Sequence, residues 1–362
     1  MRPRTVVAMS GGVDSSVTAA LLQEQGHEVV GLFLRHGQTA EATPGSARRQ
    51  GCCSAADAAD ARAVAAALGI PFYAIDFSQV FGAIVERFVD EYARGRTPNP
   101  CVACNRDLKF GALLGFAREL GAERVATGHY ARLDRDAGGA LRLRRGADRA
   151  KDQSYVLFPL SREQLAAALF PVGGLVKSEV RALARRFALP VSEKPESMEI
   201  CFVPGGDYRA VVRARRPDAV RAGAFVDRDG RRLGSHGGVP LFTIGQRHGL
   251  GVALGEPAYV VELRPDSDEV VLGRREDLHR REFRVDGVHW VSREAPAPGE
   301  EVACAVQIRS RSPALPGRVR VEEGSRATVL SDEPQSAVTP GQAAVFYDGD
   351  VVLGGGWIAP GA

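Results

Sequence analysis

The sequence lacks any apolar stretch long enough to cross a membrane, since a spanning helix needs about 20 apolar residues. The apolar run at residues 6–9 is too short for the core of a signal peptide, and Gly11 and Gly12 end it. Internal repeats and low-complexity tracts are also missing. We therefore expect a globular, cytoplasmic protein without a membrane partner.

The net charge is small, and cysteine is rare. The formal net charge is +3, which by itself is too small to indicate a nucleic-acid partner. The chain has only six cysteines, and in a reducing compartment such thiols are catalytic, redox-active or metal-binding more often than parts of a disulfide framework. The length of 362 residues exceeds one compact core and predicts two or three domains.

Short apolar runs alternate with helical patterns in the first part of the chain. Strands are predicted at residues 5–8, 28–34, 71–77 and 124–127, and helices at 15–25, 55–68, 80–94 and 108–120. This alternation is typical of a Rossmann-like α/β domain, in which a parallel sheet carries helices on both faces. Ligands of such sheets bind beyond the carboxyl ends of the strands. Residues 35–51 form a long loop, and residues 130–145 predict a hairpin.

Helical periodicity fades after residue 204, where glycine and proline become dense. Short apolar runs separated by turn residues between 301 and 358 predict a small β-barrel. The region between gives mixed signals. The predicted domains are an α/β domain at 1–204, a central domain at 205–277 and a C-terminal β-barrel at 278–362.

A glycine-rich turn lies between the first strand and the first helix. Its sequence is Ser10-Gly11-Gly12-Val13-Asp14-Ser15-Ser16. The glycines let backbone amides approach a phosphate, and the start of the helix adds unpaired N–H donors. The turn lacks the Gly-Lys-Ser/Thr ending of a Walker loop and resembles the pyrophosphate loop of the ATP pyrophosphatases. Asp14 is expected to assist a Mg²⁺ ion, because this ion prefers carboxylate and phosphate oxygens.

Two cysteines follow closely spaced prolines. Cys101 and Cys104 are expected in a loop that Pro98 and Pro100 hold out of a helix. The adjacent Arg106 and Lys109 should favour the thiolate, which is the nucleophilic form. A third cysteine, Cys201, follows in the sequence Met198-Glu199-Ile200-Cys201-Phe202-Val203. The phosphate loop alone leaves amide synthesis, amidine formation and thiolation open, and these thiols favour thiolation.

With these motifs the chain resembles the family of the tRNA-specific 2-thiouridylases, nearly from end to end. The segments that carry the resemblance are the phosphate loop, 97–110, Thr127-Gly128-His129-Tyr130-Ala131-Arg132, Lys151-Asp152-Gln153-Ser154-Tyr155, Ile200-Cys201-Phe202-Val203, Thr243-Ile244-Gly245-Gln246-Arg247 and Thr339-Pro340-Gly341-Gln342-Ala343. The resemblance implies that ATP activates the wobble uridine of a tRNA for 2-thiolation.

The resemblance also implies roles for individual residues. Cys201 would receive sulfur as a persulfide from a cysteine desulfurase or sulfur-relay protein, and Cys104 would attack that persulfide, leaving a Cys104–Cys201 disulfide. ATP would be bound by Ala8, Met9, Ser10, Gly11, Gly12, Val13, Asp14, Ser15, Leu34 and Gly128. The tRNA or its target base would be contacted by Asn99, Pro100, Cys101, His129, Lys151, Asp152, Gln153, Arg309, Ser310 and Gln342.

Cys101 departs from the family, some members of which have an aspartate there that is thought to assist proton transfer. Its thiol leaves a second chemistry open, in which Cys101, Cys104 and Cys201 hold an iron–sulfur cluster whose open iron carries sulfide. A structural zinc is a third alternative, with Cys52 or Cys53 as a fourth ligand. Cys304 is expected to be a buried small apolar residue.

Two rival functions follow from the same motifs. A ligase or amidotransferase could use the same fold on a small molecule, and a non-catalytic protein could bind metal or RNA through the Cys-x-x-Cys loop. The arginines near the hairpin (Arg142, Arg144, Arg145 and Arg149) predict phosphate contacts or a solvated face, as does the cationic helix at 177–187. Trp290 and Trp357 are expected to pack inside the β domain.

Overall fold

The computed structural model describes residues 2–37, 54–196, 200–252 and 255–361. The predicted roles of Cys52, Cys53 and most of the 35–51 loop therefore fall outside the described residues. The elements of the N-terminal part are β1 (Arg4–Ala8), α1 (Val13–Glu24), β2 (Glu28–Arg35), α2 (Ala55–Leu68), β3 (Phe72–Asp76), α3 (Ser78–Ala93), α4 (Pro100–Ala103), a π-helix (Cys104–Ala112), α5 (Leu113–Glu119), β4 (Arg124–Ala126), β5 (Ala131–Arg135), β6 (Leu141–Arg145), α6 (Arg162–Ala167), β7 (Ala168–Leu169) and α7 (Lys177–Arg186).

The remaining elements form two further sheets. The central part contains α8 (Tyr208–Arg215), β8 (Gly223–Val226), β9 (Arg232–His236), β10 (Tyr259–Arg264) and β11 (Glu269–Gly273). The C-terminal part contains β12 (His279–Trp290), β13 (Glu301–Gln307), β14 (Leu315–Glu322), β15 (Arg326–Ser336), β16 (Ala343–Asp348) and β17 (Val351–Ile358).

The N-terminal sheet is parallel, with strand order β3-β2-β1-β4-β7. The interiors of its central strands are mostly apolar because helices or other chain segments cover both faces. On β1, Val6 points into a core shared with α5, and Val7 points into a core shared with α1, α2 and α7. The carboxyl ends of β1 and β2 therefore meet at one edge, where the glycine-rich turn begins.

The β5–β6 hairpin was predicted from sequence, but its place in the fold was not. It leaves the parallel sheet and pairs with β17, so that Arg144 lies opposite Val351. The barrel itself has strand order β12-β15-β14-β13-β16-β17 and closes through the β12–β17 pair. Trp290 is buried against Phe346 inside it, as expected, and the partly buried Trp357 packs against Phe158. The hairpin thus joins the first domain to the barrel.

The central sheet has strand order β10-β11-β8-β9 and is mixed, since β11 and β8 run parallel. Its core is small and rich in aromatic residues, including Phe225 and Phe242. The limits predicted for the three domains remain predictions. Within the described ranges, the helices are all too short or too polar to cross a membrane.

The prediction that prolines keep Cys101 and Cys104 out of a helix is wrong. Pro100 occupies the first turn of α4, where a missing N–H costs nothing, and the Asn99 side chain accepts a hydrogen bond from the Cys101 amide at 3.2 Å. Cys104 begins the π-helix, which continues into α5. A helix was predicted only from residue 108, so the helical region begins about two turns earlier than expected.

Candidate active site

The glycine-rich turn is held by its own side chains. The Ser15 hydroxyl accepts a hydrogen bond from the Ser10 amide at 3.1 Å and donates to the Gly12 carbonyl at 3.2 Å. Ser16 donates to the same carbonyl at 2.8 Å. Gly12 precedes α1 without a side-chain cap, so the amides of the first helical turn remain available to an anion. The loop therefore has the form expected of a phosphate site.

Two glycines allow the close packing around this loop. Gly11 has a φ of +72°, and a Cβ there would lie 2.2 Å from the Asp57 carbonyl oxygen at the start of α2. A Cβ on Gly128 would lie 2.8 Å from the backbone of both Asp14 and Ser15. The chain after β4 thus lies directly against the loop, as expected if Gly128 borders the same nucleotide.

Asp14 is paired within the protein. Its carboxylate accepts hydrogen bonds from Lys177 Nζ at 2.7 and 2.9 Å and from the Tyr130 hydroxyl at 2.8 Å. Burial raises the pKa of Tyr130, and the Asp14 charge raises it further, so this hydroxyl stays a donor. An ATP–Mg²⁺ complex offers a cation to Asp14 and phosphates to Lys177, so this pair fits the predicted ligand.

A second layer of charges surrounds this pair. Lys177 also lies 3.1 Å from the Glu196 carboxylate, and Lys151 donates to the other Glu196 oxygen at 2.5 Å. Lys194 donates to the Gly11 carbonyl at 2.9 Å and binds Asp57. From the sequence, Lys177 was predicted only as part of a cationic helix, and neither Lys194 nor Glu196 was predicted to have a role. Their nearness to Cys201 in sequence was the only available signal.

The two predicted catalytic cysteines lie against one apolar cluster. Its core contains Phe81 and Leu108, and both Cys104 and Cys201 pack against it as half-buried residues. Leu34, predicted to border the adenosine, packs against the same cluster from the end of β2. The fold therefore brings together two thiols that are about a hundred residues apart and places them at the carboxyl edge of the sheet.

Cys101 is exposed at the start of α4. Within the described residues, no three His, Cys, Asp or Glu side chains are gathered closely enough to hold a metal ion. In this arrangement Cys101, Cys104 and Cys201 therefore do not fit a cluster or a structural zinc, and the cluster alternative is not favoured. Cys304 lies in β13, and burial raises the pKa of its thiol to about 12, in keeping with the predicted apolar role.

Arg106 is paired with the residue that follows it in the sequence. Its guanidinium donates to both Asp107 oxygens, at 2.6 and 3.0 Å, so its charge is largely compensated by the neighbouring carboxylate. Its carbonyl accepts a hydrogen bond from Gln164 at 2.9 Å. The contact of its carbonyl helps to fix the π-helix, and the effect of Arg106 on the Cys104 thiolate stays a prediction.

His129 is buried beside Gly128. Its Nδ1 atom lies 2.7 Å from the Thr127 hydroxyl, and its ring contacts Phe110 and Phe170. Burial lowers the pKa of His129 well below its ordinary value, and the charge of Lys109 lowers it further. The imidazole is therefore neutral at physiological pH, and suits hydrogen bonding rather than phosphate neutralisation.

The barrel contacts the segment that leads to the cysteines. The Gln342 side chain donates to the Thr97 carbonyl at 2.8 Å, and the Thr97 amide donates to the Pro340 carbonyl at 2.8 Å. A Cβ on Gly341 would lie 2.9 Å from the Arg96 side chain, so the two chains pack tightly. Residues of the 339–343 motif thus hold the backbone just before α4.

A buried charge network connects two segments that were predicted to contact tRNA. Arg145 donates to Asp152 at 2.8 Å and to Gln307 at 3.0 Å, and its guanidinium lies 3.5 Å from the centre of the Tyr347 ring. The Arg145 and Asp152 side chains are 15% and 7% exposed. Gln307 in turn donates to the carbonyls of Arg309 and Ser310. Of the hairpin arginines, Arg145 therefore has a structural role.

Two further side chains that were predicted to contact tRNA have partners as well. The Gln153 side chain accepts a hydrogen bond from the Tyr130 amide, and Arg309 donates to the Ala337 carbonyl at 2.6 Å. Burial lowers the pKa of Arg309. A cavity of 1160 Å³ lies between α3, the central sheet and the barrel, but the residues that line it include Arg96 and Pro340 and none of the phosphate loop. This cavity is therefore separate from the glycine-rich loop.

Three family descriptions match consecutive parts of the chain. A tRNA methyl transferase HUP domain matches residues 3–205, a tRNA methyl transferase PRC-barrel domain residues 212–274, and an aminomethyltransferase β-barrel domain residues 280–358. These parts contain the parallel sheet, the central sheet and the barrel. The predicted fold class, a Rossmann-like domain followed by a small central domain and a C-terminal β-barrel, is confirmed.

Relatives that match over the full length share one name, tRNA-specific 2-thiouridylase MnmA. The protein from Paramagnetospirillum magneticum is 50% identical over 361 residues, which are 99% of this chain and 95% of that protein. The protein from Geotalea uraniireducens is 49% identical over 359 residues, 99% and 95%. The protein from Geobacter metallireducens is 51% identical over 359 residues, 99% and 97%. Because these relatives match over nearly the whole chain, their shared name indicates the family better than the words "methyl transferase" in the domain descriptions do.

Proposed function

The chain belongs to the family of the tRNA-specific 2-thiouridylases, and we propose that it converts the wobble uridine of Lys-, Glu- and Gln-type tRNA to 2-thiouridine with ATP and a persulfide. The observation that carries the proposal is the packing of Cys104 and Cys201 against the cluster that Leu34 joins from the end of β2. The family predicted from the sequence motifs is confirmed by the relatives that match over nearly the whole chain.

The proposed reaction requires both the glycine-rich loop and the two cysteines. The uracil O2 is a poor leaving group. It would attack the α-phosphate of ATP and release pyrophosphate, and the adenylylated oxygen could then leave as part of AMP. Amides of the Gly12–Ser15 turn and the Lys177 ammonium would hold the phosphates, and Asp14 would share a Mg²⁺ ion with them. The protein would thereby stabilise negative charge where it develops.

Sulfur transfer would then use the two cysteines. The terminal sulfur of a Cys201 persulfide attacks C2 of the base and displaces AMP, which forms a C2–S–S–Cys201 linkage. The Cys104 thiolate attacks Sγ of Cys201, the electron pair of the broken S–S bond stays on the sulfur at C2, and a Cys104–Cys201 disulfide forms. A thiol reductant must reduce this disulfide before the next turnover. The apolar cluster supports this scheme because it keeps water from competing with sulfur.

The tRNA would lie across the junction of the first domain and the barrel. The proposed contacts are Lys151, Gln153, Arg309, Ser310 and Gln342, with Asn99, Pro100, Cys101 and His129 near the flipped base. A base in the anticodon loop leaves its stack at lower cost than a paired base. The Asp152 carboxylate is occupied by Arg145, so Asp152 would act by holding the Lys151–Gln153 loop in place. The reaction would take place in the cytoplasm, with a cysteine desulfurase or sulfur-relay protein as the donor.

The experiment is thiolation of unmodified glutamate tRNA with Mg-ATP and a persulfide donor, read by retardation in a mercury gel. We expect ATP-dependent thiolation by the wild type, and none by Cys201→Ser or Cys104→Ser. Cys304→Ser is the matched control, because this thiol lies in the barrel, and it should retain activity. Thiolation by Cys201→Ser at the wild-type rate would contradict the relay, and ATP–pyrophosphate exchange driven by a metabolite without tRNA would favour the small-molecule ligase.

A further inference from the structure

Cys101 and Cys104 lie one turn apart on continuous helical backbone. The Cys104 amide donates a hydrogen bond to the Cys101 carbonyl, which places the two residues on successive turns. Residues three positions apart on a helix share a face, and their Cβ atoms lie about 5–6 Å apart. The Cβ atoms of a disulfide lie about 3.5–4.5 Å apart, so a shift of about 1–2 Å in the first turn is enough for a bond between the two sulfurs.

The two thiols also lie on the accessible side of this helix. The residues between them, Val102 and Ala103, are 0% and 7% exposed and belong to two of the apolar cores. Cys101 by contrast is exposed, and Cys104 is half-buried. An exposed side chain changes its rotamer quickly. The Cys101 sulfur can therefore turn toward Cys104 while the buried residues between them hold the backbone.

The disulfide that ends each turnover is less accessible than Cys101. In the proposed function, sulfur transfer leaves a bond between Cys104 and Cys201, and both of these cysteines are half-buried against the cluster of Phe81 and Leu108. Thiol–disulfide exchange requires that the attacking thiol reach a disulfide sulfur, so this burial hinders a bulky reductant. Cys101 reaches the Cys104 sulfur from within the same helix.

We propose that Cys101 is a further catalytic residue, the resolving thiol that takes over the disulfide left by sulfur transfer. This inference rests on the proposed function. The Cys101 thiolate attacks Sγ of Cys104, the Cys104–Cys201 bond breaks, and its electron pair stays on the Cys201 sulfur as a thiolate. Cys101 is oxidised as Cys201 is reduced, so the exchange needs no external electrons, and Cys201 can accept sulfur again.

An external dithiol then reduces the Cys101–Cys104 disulfide. One of its thiolates attacks the exposed Cys101 sulfur, and Cys104 leaves as a thiolate. Its second thiol breaks the mixed disulfide and restores Cys101, so the dithiol supplies two electrons and two protons and leaves as a disulfide. The reductant thus acts at the surface, away from the Cys201 persulfide, which it would otherwise discharge as sulfide.

The first measurement locates the disulfide after one turnover of the full-length protein. Cys201 is loaded with persulfide by a cysteine desulfurase and cysteine, the excess donor is removed, and Mg-ATP and unmodified glutamate tRNA are added without reductant. After quenching with acid and N-ethylmaleimide, peptide-resolved mass spectrometry identifies the bonded pair. In the wild type we expect a Cys101–Cys104 disulfide in an amount equal to the 2-thiouridine formed. Cys101→Ser should instead retain the Cys104–Cys201 disulfide.

The second measurement is the ratio of the steady-state thiolation rate to the rate of the first turnover, with thioredoxin or dithiothreitol as the reductant. The ratio cancels any effect of a substitution on the first turnover itself. With thioredoxin, a bulky dithiol protein, it should be about tenfold lower in Cys101→Ser than in the wild type, because this reductant must then reach a half-buried sulfur. With the small dithiothreitol the difference should be smaller.

Two further variants complete the comparison. Cys101→Asp introduces the residue that some members of the family have at this position, and it should share the defect because a carboxylate forms no disulfide. Cys304→Ser is the matched control, since this thiol lies in strand β13 of the barrel, and it should keep the wild-type ratio. Thermal unfolding is measured for each variant, and the disulfide map of the wild type requires no variant at all.

The outcomes distinguish this proposal from the proposed function. A Cys104–Cys201 disulfide that persists in the wild type after one turnover overturns the resolving role, and so does an unchanged ratio with thioredoxin in both Cys101 variants. In either case the proposed function stands. If the persulfide-loaded wild type forms no 2-thiouridine with ATP, the proposed function fails, and the resolving role fails with it.

Discussion

The side-chain amide of Gln342 donates a hydrogen bond to the backbone carbonyl of Thr97 at 2.8 Å, although the two residues are 245 positions apart. Thr97 stands two residues before Asn99, which caps the helix of Cys101. The barrel thereby fixes the backbone at which the Cys101–Cys104 helix begins. A residue proposed to contact tRNA is thus in direct contact with the segment that leads into the helix of the proposed catalytic thiol.

Gln342→Leu should lower the thiolation rate more than it lowers stability. One lost hydrogen bond costs about 0.5–1.5 kcal/mol of unfolding free energy, whereas a small displacement of catalytic groups lowers rates by about tenfold or more. Thiolation rates and urea midpoints are the measurements. Gln23→Leu is the control, since Gln23 donates a similar bond to the Leu68 carbonyl at an exposed site. Equal rates for the two variants would contradict the role assigned to Gln342.

Gly128→Ala should weaken ATP binding by about tenfold or more. The added Cβ would lie 2.8 Å from the backbone of Asp14 and Ser15, so this backbone must move, and even a small displacement of groups that position a substrate has a large effect. Calorimetric titration with ATP provides the affinity. Gly115→Ala is the control, since nothing lies within 4 Å of a Cβ at that position of α5. It should leave the affinity unchanged and raise stability by about 0.5–1 kcal/mol. Unchanged affinity in Gly128→Ala would show that this contact does not shape the site.

Arg145→Met should destabilise the protein by about 3–5 kcal/mol, because it leaves the Asp152 carboxylate buried without its partner. Adding Asp152→Asn should restore part of the loss, since the uncompensated charge is then removed. Arg149→Met is the control, because Arg149 pairs with Asp350 while it is 55% exposed, and it should cost less than about 1 kcal/mol. Chemical unfolding at neutral pH gives these values. A loss for Arg145→Met no larger than that for Arg149→Met would contradict a buried network.

The free energy of unfolding should fall as the pH is lowered, in part because of His129. Burial and Lys109 lower the pKa of His129 in the folded state, so below its ordinary pKa of about 6.5 the unfolded chain binds more protons. The stabilising contribution is fully present above that pH and is lost as the pH falls toward the folded-state pKa, at about 1.4 kcal/mol per pH unit.

His129→Gln tests this dependence through urea unfolding at pH 7.5 and pH 5.5. The variant should lose about 1 kcal/mol less than the wild type between these conditions. His36 and His236 are also buried with lowered pKa values, so the wild-type slope contains their contributions and only the difference reports on His129. Identical slopes in the two proteins would mean that His129 does not titrate with unfolding.

Much of the first domain follows from local sequence signals. The predicted helix at 55–68 coincides with α2, because Ser54 and Asp57 form a capping box at its start and Gly69 ends it with a φ of +65°. The helix at Cys104 was missed because Pro98 and Pro100 were interpreted as helix breakers, although proline is favoured in a first turn. Prolines at these positions are therefore compatible with a loop or with the first turn of a helix, and the position of the capping residue, Asn99, distinguishes the two.

The glycine-rich loop, the parallel sheet, the barrel and the family could all be predicted from the sequence, because they depend on local periodicity, turn residues and contiguous motifs. Three features became visible only in the folded chain: Lys177 holds Asp14, Glu196 joins two lysines, and the β5–β6 hairpin belongs to the barrel sheet. Lys177 and Asp14 are 163 positions apart. A charged side chain must be paired with an opposite charge or exposed to solvent, but the sequence does not say which. The packing of distant segments decides which partner it meets.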